Sequence, residues 1–266
     1  MLANFHTHTV FCDGKNTVDE LVRAALEKGF SALGFTGHGV TDFDKSSCLK
    51  NEDEYIAAVL RAKERYRGKI DVYLGVEEDA FAPVCRDKYE YVIGSCHYFK
   101  LDGAYYPIDD GIESWKKCVA LFEGNAERLA EEYYRAFCGY ILQRKPNIIG
   151  HFDLITKYEE KSESLFLKNE KYFEIAEKYL QQALKAECIF EVNTGAIFRG
   201  YRTSPYPHER LLYSILKGGG RVILSSDAHV ASGLDFYFTE TEKLLKEIGF
   251  SCVYTLKNGR FEKVNL

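Results

Sequence analysis

Long apolar runs, an excess of basic charge and paired cysteines are all missing from this chain, and each absence narrows what it can be. No stretch of the sequence approaches the roughly 20 consecutive apolar residues that a membrane-spanning helix requires, so no membrane partner is expected. The first residues carry no basic segment followed by a hydrophobic one, so no secretory leader is expected. Lys and Arg number 35 against 40 Asp and Glu, a net charge of −5. A protein that tracks a phosphate backbone is normally basic, so nucleic acid is not an expected partner, although a local pocket for a small anion stays open. The eight cysteines, at 12, 48, 85, 96, 118, 138, 188 and 252, are scattered without a C-x-x-C pair. Most lie in apolar segments, where a free thiol acts as a small hydrophobe, and the expectation is a reduced, cytoplasmic protein.

What is present is ordinary in bulk: 46% apolar and 28% charged residues over 266 positions. That length suits one α/β barrel domain as well as two smaller domains, and because no low-complexity linker divides it a single domain over 1–266 is expected. Short apolar runs alternate with helical patterns throughout. Strands are predicted over 2–7, 32–36, 71–76, 91–95, 147–151, 188–194 and 221–225. Thr17-Val18-Asp19-Glu20 reads as a capping box opening a helix to about Gly29, and Asn51 caps a second. A long helical pattern from Ser114 to Leu142 carries breaks near Gly124-Asn125 and Gly139. Further helices are predicted over 172–187, over 207–217 starting at Pro207, and over 240–248. Asn258-Gly259 signals a hairpin between 252–256 and 261–264. Continuous apolarity in the strands fits a parallel sheet covered on both faces.

The chemistry lies at the ends of those strands. Six of the seven histidines follow short apolar runs: His6 and His8, His38, His97, His151 and His229. Glu77 closes the run Val72–Val76, and Asp227 precedes His229 by two. Residues two apart on a strand share a face, so His6-x-His8 and Asp227-x-His229 can each pinch one ion. With Asp13, the candidate ligands are His6, His8, Asp13, His38, Glu77, His97, His151, Asp227 and His229. Asp13, His38, Glu77, His97, Asp227 and His229 are read as the catalytic subset. One ion takes about four protein ligands, so nine imply two or three divalent ions, with Glu77 placed to bridge. Ligands at nearly every strand end favour a barrel over an open sheet, with the metal site at the C-terminal ends of the strands. Clustered cations held by imidazole and carboxylate are typical of phosphoryl hydrolysis.

The ordered motifs His6-Thr7-His8-Thr9, Thr36-Gly37-His38, Gly75-Val76-Glu77, Gly94-Ser95-Cys96-His97, Gly150-His151-Phe152-Asp153 and Ser226-Asp227-Ala228-His229 resemble those of the polymerase and histidinol phosphatase (PHP) superfamily. The resemblance spans essentially the whole chain. It implies a distorted seven-stranded parallel (β/α)7 TIM-like barrel with a trinuclear site. On it, the first ion falls to His6, His8, Glu77 and Asp227, the second to Glu77, His97 and His151, and the third to Asp13, His38 and His229. Some members have histidine where this chain has Asp13, a change that favours Mn or Fe somewhat over Zn. Segments 91–99, 106–109, 150–155 and 191–207 are most similar to the monofunctional histidinol-phosphate phosphatases. That branch implies hydrolysis of L-histidinol phosphate to L-histidinol and phosphate, in histidine biosynthesis.

Arg199 and Arg202 follow the sixth strand in a Gly-containing loop and are the candidate phosphate ligands, guanidinium being suited to phosphate oxygens. Lys157 reads as a surface lysine. Tyr98, Phe99 and Tyr106 wall a pocket or simply pack, and Asp109 or Glu78 is a candidate for a substrate ammonium. Two other readings compete: a phosphoesterase of the same family acting on nucleotides or other small phosphate esters, and a non-catalytic metal-binding module. The expected partner is a small-molecule phosphate ester; oligomeric state is not legible.

Overall fold

The computed structural model describes residues 2–162 and 164–266. In chain order the elements are β1 (Ala3–Asn4), α1 (Val18–Glu27), β2 (Ala32–Phe35), α2 (Glu52–Arg65), β3 (Asp71–Asp79), β4 (Tyr91–Ser95), β5 (Tyr98–Leu101), β6 (Ala104–Pro107), α3 (Ile112–Leu121), α4 (Ala126–Arg144), β7 (Ile148–Ile149), α5 (Glu170–Ala183), β8 (Ile189–Asn193), α6 (Gly195–Phe198), α7 (Glu209–Lys217), β9 (Arg221–Ser225), α8 (Phe238–Ile248), β10 (Cys252–Lys257) and β11 (Arg260–Asn265). Seven parallel strands pair in the order β1-β2-β3-β4-β7-β8-β9 and curl into a nearly closed barrel with helices outside. No helix among the described residues is long and apolar enough to cross a membrane. All eight cysteines are free thiols, six of them buried.

The seam of the barrel explains why β1 is shorter than the apolar run predicted. The Asn4 side chain takes the backbone N–H groups of His6 and, across the gap, of Ser226. That interrupts the ladder, which resumes as one bridge between Thr7 and Ala228. β1 and β9 are thus joined by a side chain and a bridge rather than by paired strands. The capping box on α1 forms as predicted, Thr17 and Glu20 each taking the other's backbone N–H. The helical pattern after Ser114 does break at Gly124-Asn125, where Asn125 caps α4; Gly139 lies inside α4 without interrupting it.

Two local readings are corrected. α7 does not begin at Pro207: His208 caps it through its ring nitrogen, and Pro207 precedes the cap. β5 and β6 form a hairpin about Asp102-Gly103 that was not anticipated. Both residues there have positive φ, 49° and 83°, as such a tight turn demands.

Below the strand ends the barrel is filled by an apolar layer that includes Phe5, Tyr73, Tyr91 and Ile93, with Leu256 of the β10–β11 hairpin packed into it from beneath. The Tyr91 hydroxyl finds the Phe5 carbonyl at 2.7 Å, so this large polar tip is satisfied inside the barrel.

Strand alternation divides three successive carboxylates on β3. Glu77 and Asp79 face inward, whereas Glu78 points out between the helices. There it meets Arg86, Arg144 (Nη2 at 2.8 Å), the Tyr140 hydroxyl (2.8 Å) and the Val84 N–H (2.9 Å). It is therefore a structural anchor and not a receptor for substrate. Burial opposes its charge, but Arg144, Arg86 and the remaining donors prevail and hold its pKa at about 2. Glu78→Gln is expected to cost about 3–5 kcal/mol, the range for breaking a buried ion pair. Because the folded-state pKa lies below the ordinary 4.5, this stabilisation is full above that value and is withdrawn as the pH falls towards about 2. Denaturant titrations at neutral pH and at successively lower pH check both points, since the gap between wild type and variant should close over that interval.

Candidate metal centre and active site

All nine predicted ligand side chains converge at the C-terminal rim of the barrel, carried there by different strands. Glu77 stands at the centre. Its Oε2 lies 3.3 Å from His6 Nε2, 3.5 Å from His8 Nε2 and 2.9 Å from His38 Nδ1. Its Oε1 lies 3.3 Å from His97 Nε2 and 3.1 Å from His151 Nε2. Asp227 Oδ1 closes the first group, 3.6 Å from His6 Nε2 and 3.1 Å from His8 Nε2. On the outer side, Asp13 Oδ2 lies 3.1 Å from His229 Nε2 and 3.7 Å from His38 Nε2.

Backbone geometry makes this approach possible. Gly14 sits where a Cβ would lie 2.5 Å from the His8 carbonyl carbon, so only glycine lets the loop bring Asp13 over His8. Gly195 likewise leaves room for Arg199; a Cβ there would meet its guanidinium at 2.8 Å. Asp227 takes the left-handed conformation, φ 48°, which Asp tolerates better than most residues.

The donor set fits cations. His6 Nε2, His8 Nε2, Glu77 Oε2 and Asp13 Oδ1 are buried without a hydrogen-bond partner. Buried polar atoms are rarely left unpaired, and bound cations would engage all four. Atoms bonded at about 2.1 Å to one tetrahedral ion lie about 3.4 Å from each other, the spacing seen around Glu77. Three groups of side chains each bring one ligand atom per residue within 4.8 Å of one another: His8, Asp13, His38 and His229; His6, His8 and Glu77; and His38, Glu77 and His97.

The electrostatics agree. Burial opposes charge on Glu77, but His6, His38 and His97 hold its carboxyl well below the usual range. Burial also opposes charge on His97, yet Glu77 and Asp79 bring its pKa up to about 10. Burial works the same way on His6, and Glu191, Glu77 and Asp227 outweigh it and raise the pKa well above 6.5. His8 goes the other way: burial, then His229 and His38, push it down to about 3. The cluster as a whole calls for positive charge between its carboxylates.

Around the ligands stand partners that the motifs did not announce. Asp79 Oδ2 meets the backbone N–H of His97 at 2.9 Å and its Nδ1 at 3.2 Å. Glu191 Oε1 lies 2.5 Å from His6 Nδ1. Both were within reach of the sequence, since Asp79 is two residues beyond Glu77 and Glu191 interrupts an otherwise apolar strand.

The centre opens into a cleft of about 540 Å³. Arg199 lines it, its guanidinium held by the Asp227 carbonyl (3.0 Å) and Asp227 Oδ2 (2.8 Å). Arg202, the other predicted phosphate ligand, does not line it. Its side chain is buried, donates to Thr156 and Ser204, pairs with Asp153 at 3.6 Å and lies over the Tyr206 ring. The loop after α6 turns it into the protein, so that expectation is withdrawn. Lys157, read as a surface lysine, is only 8% exposed and reaches Asp109 Oδ2 at 3.1 Å inside the cleft. Of the aromatic candidates, Tyr98 lines the cleft, while Phe99 and Tyr106 stack on each other. Phe43 and Tyr105, not singled out beforehand, complete the wall, stacked at 4.0 Å.

A rim of imidazoles and carboxylates on a nearly closed parallel barrel defines a metal-dependent hydrolase. A profile of the PHP domain matches residues 4–195. The chain belongs to the PHP domain family. A Schizosaccharomyces pombe protein named probable histidinol-phosphatase is 26% identical over 277 residues, covering 96% of this chain and 89% of that protein. A Bacillus subtilis histidinol-phosphatase is 24% identical, covering 88% and 95%. In three dimensions the chain resembles the histidinol phosphate phosphatase of Lactococcus lactis, solved with Zn, L-histidinol and phosphate. The TM-score is 0.75 at 20% identity, over 98% of this chain and 99% of that one, a likeness of fold.

Proposed function

We propose that this protein is a phosphomonoesterase that hydrolyses L-histidinol phosphate to L-histidinol and phosphate with the help of two or three divalent cations. The observation that carries the reading is the set of imidazole and carboxylate atoms converging around Glu77 beside a cleft lined by the Arg199 guanidinium and by further carboxylates. His6, His8, Glu77 and Asp227 would hold one ion, Glu77, His97 and His151 a second, and Asp13, His38 and His229 a third. Bound there, such cations ionise water near neutral pH and neutralise phosphate oxygens. Nitrogen and oxygen donors without thiolate suit Zn, Mn or Fe, with the Asp13 oxygen favouring the harder ions.

The chain's own side chains divide the rest of the task. Arg199, anchored on Asp227, presents its remaining donors to the phosphate beside the centre. Asp109, paired with Lys157, and Asp110, with Asp44 on the opposite loop, leave the outer cleft with more acidic than basic side chains. Phe43, Tyr98 and Tyr105 give it flat walls suited to a ring. A cationic amino alcohol with an imidazole matches that surface, whereas the further phosphates of a nucleoside di- or triphosphate would meet like charge. The relatives named for histidinol phosphate support the same choice.

Metal-loaded protein is expected to favour histidinol phosphate over aryl phosphates and mononucleotides by about 100-fold in kcat/KM, the scale on which contacts to a recognised group discriminate. A phosphate-release assay across these esters decides it. Equal rates on all of them would remove the substrate assignment, and a preference for nucleotides would favour the competing reading.

A further inference from the structure

Glu191, on β8, is a buried carboxylate of the barrel with both oxygens fully engaged. It is 1% exposed and receives donors from four places. Its Oε1 takes His6 Nδ1 at 2.5 Å and the Ser225 hydroxyl. Its Oε2 takes the backbone N–H of His151 at 2.8 Å and the Asn193 amide at 2.9 Å. The Asn193 amide cannot be turned round, because its oxygen is occupied by the Gly195 N–H at 2.8 Å. A backbone N–H can only donate. Oε2 is therefore fixed as an acceptor, which leaves Oε1 to meet the imidazole.

We propose that Glu191 is a positioning residue of the metal centre, holding His6 as its Nδ1–H tautomer so that the Nε2 lone pair is presented to a cation. The inference rests on the proposed ligation by His6. An imidazole whose far nitrogen donates to a carboxylate is fixed in orientation and made a stronger ligand. Glutamine cannot replace this carboxylate. Its single oxygen would be claimed by the His151 N–H and Asn193, and its amide N–H would then face His6 Nδ1. That reverses the tautomer and puts a proton on Nε2, pointing into the cation space. The same carboxylate holds the backbone of His151, so it ties a ligand of the first proposed ion to the strand that carries a ligand of the second.

The test is zinc affinity, measured by chelator competition on the full-length protein, in wild type, Glu191→Gln, His6→Ala and the double variant. Glu191→Gln is expected to weaken the zinc site about 10–100-fold, and the same change made in His6→Ala is expected to alter affinity by less than about 3-fold, because distant effects add and shared ones do not. Undiminished affinity in Glu191→Gln would overturn the proposal. So would an equal loss in both backgrounds, which marks a residue that only braces the barrel. Wild-type protein that takes up no zinc would instead bring down the reading of the centre itself. Should Glu191→Gln not fold, long-range nitrogen–proton NMR of zinc-loaded wild type answers the same question. A proton on His6 Nδ1 is expected, and one on Nε2 would refute the role.

Discussion

Stripping the protein with a strong chelator is expected to abolish phosphate release, by at least about 1,000-fold, or about 4 kcal/mol of transition-state stabilisation. Adding back Zn or Mn should restore it. The reason is visible in the rim. Glu77, Asp227 and Asp13 are held within 4 Å of imidazole nitrogens, with four donor atoms lacking any hydrogen bond. Without cations the carboxylates of the rim would repel an incoming phosphate, and the site would lose its means of lowering the pKa of water towards neutrality. The stripped protein should also melt earlier. A ligand present at 100 times its dissociation constant stabilises the folded state by about 2.7 kcal/mol, and several sites add to that. Metal analysis, thermal melts and phosphate release on one preparation make the comparison. Full activity at undetectable metal would refute the metal-dependent reading.

Glu77→Gln is expected to have the largest effect of any single substitution: a fall in kcat/KM on the order of 1,000-fold or more, again about 4 kcal/mol, with fewer ions bound per chain. Each carboxylate oxygen serves a different group, Oε2 facing His6, His8 and His38, Oε1 facing His97 and His151. An amide is close to isosteric but neutral, and it would aim two N–H donors at one of those groups. Ser95, whose hydroxyl reaches Oε1 at 2.6 Å, could not make up the missing charge. Metal stoichiometry and steady-state kinetics test it. A variant with near wild-type kinetics would show that Glu77 does not bridge.

The features that could be read from the sequence are those set by short-range pattern. Apolar runs ending in His or Glu located the strands and their mouths, because a parallel strand buried on both faces needs continuous apolarity and a ligand must stand where it ends. What escaped depended on where loops turn. Arg199 and Arg202 stand three residues apart after the same strand, yet one lines the cleft and the other is buried against Asp153, a matter of the turn at Gly200 and not of residue type. Lys157 reads as a surface lysine, but the short turn after β7 carries it into the cleft lining, where it pairs with Asp109. Asp102-Gly103 between alternating residues is a hairpin signal of the same kind as Asn258-Gly259. Asp79 follows from the two-residue period that joins His6 to His8, and Glu191 from a carboxylate standing inside an apolar strand.

The hairpin that ends the chain has a consequence for traffic. With Leu256 seated among the lowest side chains of the barrel and the Asn258 N–H fastened to the Tyr73 hydroxyl, the molecule is a cup and not a tube. Whatever enters over the lip leaves over it, so spent phosphate and the released alcohol share one doorway with the next molecule to be cut.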